Sequence, residues 1–61
     1  MNFIKLIDEF DKTVVINLDL VTYIYSQDET TTALAFDHPE NYIVVKTPTD
    51  DLLEEIIRRN Y

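Results

Sequence analysis

Four strand-length stretches of this chain set apolar residues side by side: Phe3-Ile4, Leu6-Ile7, Val14-Val15-Ile16 and Ile43-Val44-Val45. Successive side chains of a strand point to opposite faces, so each stretch presents apolar surface to both sides of any sheet it joins. A single amphipathic helix, late in the sequence, is available to cover one side. The other side calls for strong curling of the sheet toward a barrel-like form, or for a second chain. Self-association, as a homodimer, is the expectation, with the curled monomer as its alternative.

Size sharpens this constraint. A chain of 61 residues buries only about 60% of the surface its unfolded form exposes, which leaves one domain, spanning 1–61, with a marginal core. There are no cysteines, so neither a disulfide framework nor a thiolate zinc site can staple it. At 46% apolar residues the chain is too hydrophobic for intrinsic disorder and is expected to fold.

The segments read as five short strands followed by a helix, an α+β domain. Its sheet is expected to be a small antiparallel one of four to five strands, flat or curled, with one C-terminal helix. Phe3 to Ile7 ends at the acidic turn Asp8-Glu9-Phe10-Asp11-Lys12, and Thr13 to Leu18 follows with Val14, Ile16 and Leu18 on one parity. Asn17-Leu18-Asp19 supplies side chains that hydrogen-bond their own backbone and bend the chain. Val21 to Ser26 places Val21, Tyr23 and Tyr25 on one face; Thr30 to Phe36 groups Thr32, Leu34 and Phe36 against Thr31, Ala33 and Ala35; Tyr42 to Lys46 is the last strand. Without a single glycine, two-residue Asn-Gly or Asp-Gly hairpins are unavailable, so longer loops or bulged turns should join these strands.

For the helix, Thr47-Pro48-Thr49-Asp50 offers an N-cap threonine, a proline at the first helical position and an acid three residues after the cap. Asp50, Asp51, Glu54 and Glu55 lie toward its positive end, Arg58 and Arg59 toward its negative end. Leu52, Leu53, Ile56 and Ile57 form the apolar stripe that should lie on the sheet.

Twelve acidic against five basic side chains give a net charge of -7. That balance repels nucleic acid and anionic lipid, and the Lys/Arg patch on which phosphate binding depends is absent. Partners are expected to be proteins with basic surfaces, with no direct nucleic acid contact. The run Met1 to Ile7 is interrupted by Asp8, Glu9, Asp11 and Lys12, which leaves neither a signal-peptide core nor a membrane-spanning run. A cytoplasmic protein without membrane insertion is the expectation.

Little in the chain suggests chemistry. His38, the lone histidine, sits beside Pro39 in a turn with no nucleophile in view. Asp8, Glu9 and Asp11 lack the ligand count and glycine of a calcium loop, so a solvated turn is the simpler reading. The carboxylates of the helix have a structural explanation in its dipole. No catalytic, cofactor-binding or metal-binding residue is assigned, and the chain is read as non-enzymatic. Tyr23, Tyr25, Tyr42 and Tyr61 lack the cationic neighbours of a base-stacking surface and fit a core or protein-contact role better. Tyr23, Tyr25, Phe36 and Tyr42 are the contact candidates.

The order of residues adds a resemblance. Ile16 to Ile24, then Asp28 to Leu34, then Ile43-Val44-Val45-Lys46 running into the acidic helix resembles the FlbD flagellar and swarming-motility family. Shared features are an Ile-Asn step followed by a hydrophobic pair, a threonine-rich strand after an acidic turn, and a Val-Val-Lys strand leading into a Glu-rich helix, over residues 3–57. Asp37-His38-Pro39-Glu40-Asn41 is longer than that family's Asn-Gly hairpin. Val21 to Tyr25 and the step at Lys46 to Leu53 are similar to the first part of LytTR DNA-binding domains, whose basic DNA-contacting residues have no counterpart here. Neither resemblance supplies catalytic residues; the first implies a small motility-linked interaction module. An acidic phage-type inhibitor that blocks a basic nucleic-acid-binding surface of a host enzyme is the alternative suggested by size and charge.

Overall fold

The β1–β2 hairpin is built around one carboxylate. In the computed structural model, which describes residues 2–59, β1 (Phe3–Ile7) pairs antiparallel with β2 (Thr13–Asn17), Ile4 facing Ile16 and Leu6 facing Val14. At the turn, the buried Asp8 accepts through its Oδ1 the main-chain N–H groups of Phe10 and Lys12, each at 2.9 Å. Asp11 takes a φ of 64° there and Asp37 one of 66° in the β4–β5 connection. Aspartate tolerates this left-handed region, which is how a glycine-free chain makes its tight corners.

Asn17 ends β2 because its side chain accepts the Asp19 N–H at 3.0 Å, capping a short 3₁₀ helix at Leu18–Leu20. The expected strand to Leu18 is therefore one residue shorter, and the next begins at Tyr23. A meander follows: β3 (Tyr23–Ser26), β4 (Thr32–Ala35) and β5 (Tyr42–Val45), with β4 in the centre. Its cross-strand rows are Tyr23–Ala35–Tyr42, Ile24–Leu34–Ile43, Tyr25–Ala33–Val44 and Ser26–Thr32–Val45.

The single sheet or barrel expected from sequence is not what forms. Two sheets form, one of two strands and one of three, joined by a lone bridge between Asp8 and Val45. Lys46 N–H donates to the Ile7 carbonyl at 2.8 Å and Glu9 N–H to the Val44 carbonyl at 3.0 Å. Pairing between β1 and β5 stops after that step because Asp8 gathers the chain into its turn instead of prolonging the strand.

The inner faces of both sheets nevertheless enclose one core, formed by Ile4, Ile16, Leu34, Val45 and Leu52 and edged by Leu6, Val14, Ile24, Ile43 and Ile56. The helix α1 (Thr49–Arg59) supplies Leu52 and Ile56. It starts later than expected: the Pro48 carbonyl accepts the Leu52 N–H at 3.0 Å, so Pro48 precedes the first turn instead of opening it. The buried Thr32 hydroxyl donates to the Thr47 carbonyl at 2.6 Å, which leaves its lone pair to receive the Thr49 hydroxyl at 2.9 Å. That pair of bonds pins the start of α1 to the inner face of β4. At the other end Arg59 donates to the Phe3 carbonyl at 3.0 Å.

Candidate functional site

Odd-numbered positions of β3 and β4 and even-numbered positions of β5 point away from the helix. They bring Tyr23, Tyr25, Ala33, Ala35, Tyr42 and Val44 onto one outer face of the three-stranded sheet. The centre strand contributes only methyl groups to this face between the flanking rings, and Ala33 and Ala35 are 0% exposed. Tyr25 and Tyr42 meet across β4 with ring centroids 6.2 Å apart and planes tilted by 57°. A tilted aromatic pair of this kind is worth about 0.5–1.5 kcal/mol beyond its buried area. The Tyr25 hydroxyl donates to the Pro39 carbonyl at 3.3 Å, which ties the ring to the β4–β5 loop.

The rings remain open to solvent. Tyr23 is 45% exposed, Tyr25 37% and Tyr42 46%. Three of the four contact candidates thus converge. Phe36 does not join them: it is half-buried and packs against the core with Leu34, as its even position on the β4 register places it. Tyr61 lies outside the described residues.

Acidic side chains border this face. Asp28 and Glu29 lie in the β3–β4 turn at one end of the strands, Asp37 and Glu40 in the β4–β5 loop at the other, all exposed. Asp28 Oδ1 accepts four donors, the N–H and hydroxyl groups of Thr30 and Thr31, at 2.8–3.2 Å. The hydrogen bond from the Thr30 N–H, followed by that from the Thr31 hydroxyl, holds the Asp28 carboxyl below its ordinary value of 3.8. Lys46, which follows β5, pairs with Asp11.

No protein-family model, curated protein or solved structure matches this chain.

A second group of exposed apolar residues lies on the outer face of the β1–β2 hairpin, where Phe3, Ile7 and Val15, the last 64% exposed, surround the exposed Lys5 that pairs across from Val15. Alternation of the strands could have located it, since Val15 stands on the opposite parity to Val14 and Ile16. Phe10, at the turn, is 72% exposed; a turn position carries no periodicity, so nothing in the sequence pointed to it. The adjacent alanines that floor the tyrosine face were legible as parity partners of the tyrosines, though their small size was the decisive property.

The residues weighed for chemistry are dispersed. His38 is exposed and its main chain organises the loop, donating to the Phe36 carbonyl at 2.6 Å and accepting the Asn41 N–H at 3.0 Å. On α1, Arg58 pairs with Glu55 at 3.1 Å and Glu54 at 3.9 Å, and Arg59 with Glu55 at 3.3 Å. Among the described residues no group of three or more His, Asp or Glu side chains is placed to hold a metal ion, and no pocket is present.

Proposed function

We propose that this chain is a small, non-enzymatic protein-interaction module of the cytoplasm that pairs with itself and holds a second, basic protein. The observation that carries this reading is the bare aromatic face of Tyr23, Tyr25 and Tyr42. The helix covers the inner side of the sheets, and an exposed cluster of this composition matches the centres of protein interfaces, where tyrosine is enriched and charge depleted. Self-association draws on the outer face of the β1–β2 hairpin through Phe3, Ile7 and Val15. The resemblance of residues 3–57 to the FlbD family supports placing the module among motility-linked accessory proteins. Light scattering at micromolar concentration tests the pairing: the expected mass is twice the 7.2 kDa of one chain, and a mass of one chain throughout that range rules the pairing out.

A second reading rests on the solvent face of α1, where Asp50, Asp51 and Glu54 are all exposed. Such a face suits an acidic inhibitor seated in the basic groove of a nucleic-acid enzyme. Its distinguishing measurement is charge reversal: Asp50→Lys with Asp51→Lys abolishes binding under this reading, while the tyrosine face is left intact.

A further inference from the structure

We infer that the tyrosine face and the open edge of β3 form a docking site for an extended, arginine-bearing segment of another protein. The inference rests on the interaction-module reading and specifies the partner's chemistry. β3 is the edge strand of its sheet, and Tyr23-Ile24-Tyr25-Ser26 carries no charge, proline or bulge of the kind that protects edges from pairing. An added strand would therefore meet backbone groups free to pair with it.

Side-chain spacing continues the match. Tyr23 and Tyr25 stand two residues apart on one face, about 7 Å along the strand, which is the repeat of alternate side chains in any extended segment laid beside them. Arginine suits these positions because its planar guanidinium stacks on an aromatic face. The border supplies the complementary charge, with Asp28 and Glu29 at one end and Glu40 at the other, while Lys46 is occupied by Asp11. A second copy would bring its own Asp28, Glu29 and Glu40 against the same carboxylates of this face, whereas a cationic segment meets them with opposite charge.

The test is a fluorescence-anisotropy titration of the full chain against a labelled synthetic peptide that alternates arginine with valine or threonine, and against the same peptide with glutamate for arginine. Saturable binding of the arginine peptide alone is expected, weakening as salt rises. Tyr23→Ala and Tyr25→Ala should each weaken it by about two- to fivefold. Glu29→Gln combined with Glu40→Gln keeps the turn-building aspartates and should also weaken it and flatten its salt dependence. Circular dichroism checks the fold of each variant, and where a tyrosine variant does not fold the charge variant decides. Lack of saturation below about 1 mM, equal affinity for the glutamate peptide, or unchanged binding by Glu29→Gln/Glu40→Gln overturns the proposal. Light scattering on the same samples separates the two failures: a dimer that ignores the arginine peptide and falls to a monomer on Tyr23→Ala assigns the face to a second copy, overturning this occupant and sparing the module.

Discussion

Asp8 shows how one side chain can decide topology. It is only 9% exposed, and its carboxylate satisfies two main-chain N–H groups that the turn would otherwise leave without partners. Asp8→Ala should cost about 1–3 kcal/mol in a urea unfolding titration, because both hydrogen bonds to the carboxylate that close the turn are lost. Thr32→Val, close in shape, should cost a similar amount, about 1–3 kcal/mol, by orphaning the Thr47 carbonyl and the Thr49 hydroxyl. Asp28 governs an exposed turn and is expected to show itself through pH. Its folded carboxyl titrates below 3.8, so the folded state holds the charged form more tightly than the unfolded state does. The stabilisation is therefore complete above the unfolded value and is lost as pH falls through the folded one. Asp28→Asn should melt at lower temperature than the parent near neutral pH, with the gap closing as pH falls into and below the ordinary carboxylate range. A gap independent of pH would mean that the charge contributes nothing to the turn.

Elements divide into those that local pattern specifies and those that depend on a distant partner. Five strands and a final helix are legible because alternation and the four-residue apolar stripe are local signals. The even parity of Leu34 and Phe36 likewise shows in the sequence, and it is this parity that turns Phe36 inward, away from the tyrosines. The split into two sheets was not legible, since it depends on Asp8 folding back on Phe10 and Lys12 at the very point where β1 meets β5 from far along the chain. The helix illustrates the same limit. Its stripe of Leu52, Leu53, Ile56 and Ile57 looks uniform, yet Leu52 is 1% exposed and Ile57 56%, because only the side of the helix that carries Leu52 and Ile56 reaches the core. Leu52→Ala should cost about 2–5 kcal/mol, comparable to the whole stability of a chain this small, about 3–9 kcal/mol at the usual value per residue. Loss of the helical circular dichroism signal at room temperature is the expected outcome for Leu52→Ala, whereas Ile57→Ala should unfold within about 0.5 kcal/mol of the parent.

At the scale of the whole molecule, two kinds of association respond to salt with opposite sign. Each copy carries a net charge of -7, so pairing of two copies through Phe3, Ile7 and Val15 works against long-range repulsion. Raising ionic strength shortens the reach of that repulsion, from about 30 Å at 0.01 M to about 8 Å at 0.15 M, and leaves the apolar contact intact. Dimerisation should therefore strengthen with salt. Engagement of a basic partner at the tyrosine face draws on attraction between opposite charges, and the same screening should weaken it. Val15→Lys sets a second cation directly across from Lys5 and removes the central apolar side chain of the hairpin face, which should return the chain to a monomer without loosening its hold on the partner. Sedimentation of the parent and of Val15→Lys across a salt series checks both signs at once. A dimer that dissociates as salt rises would show that the copies are held by charge, and the apolar hairpin face would then have no part in the pairing.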